Sequence, residues 1–562
     1  MRILPALRMF LNPGITFWVV VLLILLWSNC LAQIKPAGKP VILLETENPR
    51  LACYDVTSYL LDLDIDPAKH SVTGSCTMYF RLLSPIDSID LFLDNRLGIK
   101  SITDPVKTEL SFSRIGDRIR IGLPGYIYPG ATNWSITLHY GGIPKISANP
   151  PWDGGFVWST DSAGNPFCGV TCELEGAKIW WPNKNVWSDK PDSIAFTVRV
   201  PGGLTAISNG KLRKSRQPID GRLAFSWIIS YPILPYNLTV YIGKYDHFSE
   251  YLHYASDSLL LDYYVLPPNA AKAKEHFKQA GKICEVFEKY FGPYPFRSCG
   301  YKLVEAPYQG MEHQSAIAYG NKYKNGYNGF NFAPFQFDYD YVILHETAHE
   351  WWGNSVSSRK AQDIWIQESF ATYSESLFVE ALLGHDSAER YIMQDVLHLM
   401  KNSYPLCDTI RGTAYTSDLY DKGSAIWNTF RNMISNDSLW FCFLRQIQHD
   451  YRYGSISTGE LIRYVNSHFL SDYGWFFDQY VFSPDIPVLL LKKEADIPGR
   501  VSFKWDACVT GFRLPIVLKS ESTTLVLKPS DDWQSVETEL TLADIYRLLI
   551  RRYLVKVKAT GV

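Results

Sequence analysis

His345-Glu346-Thr347-Ala348-His349 places two imidazoles four residues apart. On a helix, positions i and i+4 share a face, so both rings can reach one Zn²⁺ ion. Glu346 stands between them and is placed to hold a water beside that metal. A catalytic zinc needs a third protein ligand and an open position. Glu368, in Trp365-Ile-Gln-Glu-Ser-Phe-Ala-Thr-Tyr-Ser-Glu375, supplies the ligand if the zinc helix ends, turns and returns antiparallel. Glu375 falls on the same helical face as Glu368, where it can accept a hydrogen bond from a ligating imidazole and fix its tautomer. The expected metal set is therefore His345, His349 and Glu368, with one Zn²⁺ per chain.

These residues need a helical frame, and the surrounding periodicity provides one. Helices are predicted over 339–352, 364–383, 386–401, 421–434 and 459–470, with a helical stretch from Asn269 to Tyr290. Gly353 and Gly384 stand where helix stop signals belong. From about Asp55 to Ser249 the pattern is instead β-like. Ser58-Tyr-Leu-Leu-Asp-Leu-Asp-Ile and Ser193-Ile-Ala-Phe-Thr-Val-Arg-Val are examples, and Pro124-Gly125 and Pro201-Gly202-Gly203 punctuate such runs. After Pro487 short β runs return. The predicted fold class is multidomain α+β: an N-terminal antiparallel β domain, a mainly helical catalytic domain and a small C-terminal β domain.

The N-terminus reads as an address. Arg2 and Arg8 precede the apolar run Ile15–Trp27, too short for a comfortable membrane span and suited to a signal-peptide core. Cleavage after Ala32 would leave Gln33 first, with lipidation at Cys30 the lesser alternative. The predicted divisions are 1–32 signal peptide, 33–250 N-terminal β domain, 251–487 catalytic domain and 488–562 C-terminal β domain. No later segment is apolar enough to span a bilayer, so export (periplasmic or extracellular) is expected. The net charge of -2 and the lack of a basic domain argue against nucleic-acid binding. Hydrophobic residues make up 46% and charged ones 20%, a globular balance. Export permits disulfides, and Cys168 and Cys172 are near enough in sequence to be candidates; buried thiols are the alternative. Asn133-Trp-Ser and Asn237-Leu-Thr match glycosylation acceptors.

Beyond the zinc helix, the chain resembles the M1 family of zinc aminopeptidases in the gluzincin clan. Gln309-Gly310-Met311-Glu312-His313 is similar to the family's Gly-x-Met-Glu-Asn exopeptidase loop. Tyr420-Asp421-Lys422-Gly423 resembles the segment that carries its catalytic tyrosine, and Thr171-Cys172-Glu173-Leu174-Glu175-Gly176 the segment that sends a substrate-binding Glu into the cleft. Ser208-Asn209-Gly210 matches a further landmark. Gln309, His313, Thr171, Gln367 and Ser369 depart from the usual residues, and the first two bear on the shape of the substrate-edge loop.

The resemblance implies a thermolysin-like catalytic domain that removes the N-terminal residue of peptides with a free N-terminus. Glu346 would act as general base and Tyr420 as oxyanion donor, with Tyr415 a nearby competitor. Glu312 and Glu173 would anchor the substrate's α-ammonium, Glu175 competing with Glu173. Gly310 and Met311 would line the peptide, Gly310 through its backbone. Relatives that continue into a helical repeat domain roof this site, and the stretch after Pro487 is too short for one, so an open cleft is expected. A thermolysin-type endopeptidase, an added epoxide hydrolase activity and a non-catalytic peptide-binding protein are the alternatives.

Overall fold

The computed structural model describes residues 41–560, apart from 44, 131–132, 256, 332, 495–498 and 521–522. The expected signal peptide and Cys30 lie outside the described residues. In the N-terminal part, long alternating strands form a seven-stranded sheet. Its order is Lys211–Ile219, Arg222–Ile229, Ser193–Pro201, Tyr54–Asp66, Ser71–Leu82, Trp134–Gly142 and Leu97–Thr103. All neighbours are antiparallel except Ser193–Pro201 and Tyr54–Asp66, which run parallel. Period-two alternation buries Leu61, Leu63 and Ile65 on one face and leaves Asp62 and Asp64 on the other. A four-stranded sheet of Thr205–Ser208, Val240–Gly243, Pro166–Thr171 and Gly155–Thr160 lies in the same part of the chain. Glu173 lies two residues beyond the end of its strand Pro166–Thr171.

A five-stranded mixed sheet comes next, in the order Asp246–His253, Ser258–Val265, Tyr301–Glu305, Ile317–Tyr319 and Gly310–Met311. The expected division at 250/251 falls inside strand Asp246–His253, which among the described residues pairs with Ser258–Val265. We therefore place the division before Asp246. The helices of this part include α1 (Lys278–Phe291), α2 (Tyr341–Ala348), α3 (Trp365–Leu383), α4 (His385–Leu399), α5 (Asp421–Ile434) and α6 (Asp437–Asp450), and Thr458–His468 forms the predicted helix near 459–470. Helix α6 was not among the predicted ones, although Asn436 caps it by accepting the Leu439 N–H at 3.1 Å.

The C-terminal part holds a four-stranded sheet, ordered Gln534–Glu537, Arg500–Asp506, Val488–Lys493 and Lys556–Ala559, and the hairpin Ile516–Lys519/Thr524–Leu527. It also contains helix α7 (Leu542–Arg552), which the β-like reading of this stretch passes over. The signal was present: Thr541 and Asp544 form a capping box before an amphipathic run.

The aromatic surplus has a physical home. Trp352 stacks on Phe370 at 4.0 Å between ring centroids, and Phe370 stacks on Trp427 at 4.2 Å. This column joins the chain after α2 to α3 and α5. Gly423 makes the α3–α5 approach possible, because a Cβ there would sit 2.4 Å from the Ser369 Cβ. The nine described cysteines are all free. Cys168 and Cys172 are buried free thiols rather than a bridge, and the Cys172 thiol donates to the Tyr236 carbonyl at 3.1 Å. Asn237 is fully buried and donates to Asn354 Oδ1 at 2.6 Å, so the folded chain offers no glycan site there.

Arg431 of α5 is a buried tie. It donates to both oxygens of Glu380 on α3, at 2.6 and 2.9 Å, and to Asp437 at 2.9 Å. Although burial opposes it, hydrogen bonding from Arg431 and His385 brings the Glu380 carboxyl down to about 2. A depressed carboxylate contributes stability above its unfolded value and loses it as pH falls through the folded one. Arg431→Met is therefore expected to cost about 3–5 kcal/mol at neutral pH by stranding a buried carboxylate. It should also erase the part of the wild-type stability loss between about pH 4.5 and 2 that comes from this group. Thermal unfolding at neutral and acid pH measures both effects.

Candidate metal centre and catalytic cleft

Asp340 caps α2 by accepting the Val342 and Ile343 N–H groups, and it also accepts from the Tyr319 hydroxyl at 2.7 Å. This fixes α2 against the central sheet. His345 lies in the last turn and His349 at the C-cap, still right-handed helical, so the i,i+4 face is kept. Gly353 then takes φ +121°, in the region that favours glycine, and the chain turns back toward α3. A Cβ at Gly353 would sit 3.2 Å from His349 Nδ1.

Three donor atoms converge. His345 Nε2 and His349 Nε2 are 3.1 Å apart, and Glu368 Oε2 lies 3.7 and 3.5 Å from them. Each outer nitrogen faces an acceptor: His345 Nδ1–H donates to Glu375 Oε1 at 2.8 Å, and His349 Nδ1–H to the Trp352 carbonyl at 2.8 Å. With the hydrogens on Nδ1, the neutral rings aim their Nε2 lone pairs inward. Glu368 Oε2 is buried and has no hydrogen-bond partner. Two imidazole nitrogens and an orphaned carboxylate oxygen with these spacings fit a zinc ion.

The triad opens on a cleft cavity of about 270 Å³. Glu173, Gly310, Met311, Glu312, His345, Glu346, His349, Glu368 and Tyr420 all line it, as do Tyr415 and Glu375. Gly310 is required by space, since a Cβ there would lie 2.6 Å from Glu346 Oε1 and 2.7 Å from Val342 Cγ1. Withdrawal from water pushes the Glu346 carboxyl up to about 7, against the pull of the two histidines. Burial also raises Glu173 and Glu312; Glu312 and Glu368 add repulsion at Glu173, and Glu368 adds it at Glu312. Crowded, partly desolvated carboxylates of this kind favour a cation between them.

The sequence alternatives separate. Glu175 pairs with Lys145, while Glu173 turns into the cleft. Tyr415 and Tyr420 both line it, and their hydroxyls are hydrogen-bonded to each other. Tyr420 packs on His345 with ring centroids 5.9 Å apart, whereas Tyr415 also reaches Glu173 Oε2 at 3.4 Å.

The departures from the family pattern have partners too. Gln309 donates to Asn321 Oδ1 at 2.7 Å. His313 is buried, shares a hydrogen bond with the Tyr241 hydroxyl at 2.7 Å, and is pushed down to about 3 by burial, so it is neutral. Thr171 donates to the Asp153 carbonyl at 3.2 Å. Ser369 accepts from the Trp427 indole at 2.9 Å. Gln367 donates to Glu173 Oε1 at 3.4 Å and to the Tyr236 hydroxyl at 3.3 Å. That hydroxyl in turn donates to Glu312 Oε1 at 3.0 Å. Through Gln367, Tyr236 thus links Glu312 and Glu173. Nothing in its local sequence marks it, because its role depends on how the N-terminal part meets α3.

Residues 275–480 match the family described as Peptidase family M1 domain. Among curated proteins, the chain is 25% identical over 203 residues to "Probable aminopeptidase 1" of Saccharolobus solfataricus, covering 36% of this chain and 25% of that protein. It is 22% identical over 329 residues to the Sulfurisphaera tokodaii protein of the same name, covering 55% and 40%. To human endoplasmic reticulum aminopeptidase 1 it is 23% identical over 273 residues, covering 46% and 29%. The chain thus spans between a quarter and two fifths of the length of these relatives. A crystal structure of an M1 zinc metallopeptidase mutant from Deinococcus radiodurans, bound to a Tyr-Ser-Ala substrate, shares the fold. Its TM-score is 0.64 at 19% identity, covering 77% of this chain and 95% of that one. A second structure of an M1 zinc metallopeptidase from that organism aligns with TM-score 0.62 at 20% identity, covering 74% and 91%. The zinc-fitting triad lies inside residues 275–480, the segment that is similar to the Peptidase family M1 domain.

Proposed function

We propose that the chain is an exported zinc aminopeptidase that removes the N-terminal residue from peptides. The observation that carries this reading is the buried Glu312 and the half-buried Glu173, joined through Tyr236 and Gln367 in the cleft that the metal triad also lines. A free α-amino group is a cation, and two carboxylates beside the triad select for a chain end. Blocked termini or extended chains would leave those carboxylates buried and unpaired, which opposes an endopeptidase.

His345, His349 and Glu368 would hold a zinc ion, which would supply Lewis acidity toward the scissile carbonyl and lower the pKa of a water. Glu346 takes the proton from the attacking water and returns it to the departing nitrogen. Tyr420 donates its hydroxyl hydrogen to the oxygen that gains charge. Tyr415 holds the Tyr420 hydroxyl in place, and Gly310 keeps the space that Glu346 needs. Gly310 and Met311 form the edge strand of the central sheet, with one side paired to Ile317–Tyr319. The other side is where an extended peptide would add.

Export rests on the address read at residues 1–32. Among the described residues, no helix is long and apolar enough to cross a membrane. The test of the proposal is chelation. Release from aminoacyl amides should disappear on metal removal and return with stoichiometric zinc. Undiminished turnover by the metal-depleted protein would overturn it.

A further inference from the structure

Glu375 has two oxygens, and the metal centre uses only one of them. Oε1 accepts from His345 Nδ1 at 2.8 Å. Oε2 accepts from the Tyr391 hydroxyl at 2.5 Å. Tyr391 comes from a different element, α4, and it is buried at the cleft wall. The terminal torsion of a glutamate is broad and has no strong preferred setting of its own. A donor on each oxygen therefore sets the plane of the carboxylate, and that plane sets the direction in which His345 is held.

Tyr391 is itself well fixed. Its ring meets Tyr341 edge-on, at 6.1 Å and 85°, and Phe337 at 6.1 Å and 61°. Helix α4 is also tied to α7: Arg551 bonds Asp386 at 3.2 Å and Arg552 bonds Glu389 at 2.9 Å. The hydroxyl direction is thus imposed by packing that does not involve the metal ligands.

We infer that Tyr391 is a positioning residue for the zinc centre, acting through Glu375 on His345. This rests on the zinc reading of the triad. Outer-sphere partners of a metal-bound histidine typically change affinity by 10–100-fold, and one step further out the lower figure applies. Tyr391→Phe keeps the ring packing and removes only the hydroxyl. It should weaken zinc binding about ten-fold.

The test is zinc affinity of the full chain, read by competition with a chromophoric chelator. Wild type, Tyr391→Phe, Glu375→Gln and the double variant are compared. The expected pattern is weaker binding in each single variant, with no further loss when Tyr391→Phe is added to Glu375→Gln. Unchanged affinity in Tyr391→Phe while Glu375→Gln is weakened would overturn the inference. So would fully additive losses, which mark an independent structural effect. A wild-type chain that binds no zinc would instead overturn the underlying reading of the triad.

Discussion

Glu346→Gln is expected to lower kcat by about 10²–10⁴-fold, the range supplied by a positioned general base. The substitution keeps the side chain's volume, which matters because Gly310 leaves Glu346 little room. It also leaves His345, His349 and Glu368 untouched, so zinc content should stay at one ion per chain. KM should change little, since the amine anchors are elsewhere. Steady-state kinetics on a free aminoacyl amide, with metal analysis of the same sample, checks all three. A variant with full zinc and kcat within ten-fold of wild type would remove Glu346 from the proton transfer.

Tyr420→Phe is the second large effect. Loss of one oxyanion donor typically costs about 10²–10³-fold in kcat. The ring can stay packed on His345, so binding should persist and the loss should fall on kcat. Tyr415→Phe provides the contrast. Its hydroxyl bonds Tyr420 and Glu173, so its removal should cost less in kcat and also raise KM. The reverse ranking would exchange the roles of the two tyrosines.

Much of the site was legible because helical spacing is a local code. His345 and His349 share a face by arithmetic, and Glu368 and Glu375 do so on the next helix. The choice between Glu173 and Glu175 was not local. Adjacent positions look equivalent in sequence, and only the fold shows that Lys145 takes Glu175. Tyr236 and Tyr391 were invisible because each reaches its carboxylate from another element, Tyr236 from 76 residues away and Tyr391 from the next helix, whose packing on α3 the periodicity does not set.

The fold followed the same rule. Alternation and helical periodicity revealed the layers, but the parallel pairing of Ser193–Pro201 with Tyr54–Asp66 depends on strands far apart in the chain. Helix α7 was masked by the β-like runs on both sides of it. The strand at Asp246–His253 looks like its predecessors in composition, and only its pairing assigns it to the catalytic sheet.

The central claim is that two carboxylates beside a zinc site select for a free N-terminus. The most direct measurement compares kcat/KM for an aminoacyl amide and its N-acetylated counterpart, in wild type and Glu312→Ala. Charge-assisted hydrogen bonds of roughly 1.5–3 kcal/mol predict a preference of at least about ten-fold, and about 100-fold at the upper end, for the free amine. Most of that preference should vanish in Glu312→Ala through a raised KM. Equal cleavage of the free and acetylated substrates by the wild-type protein would contradict the account.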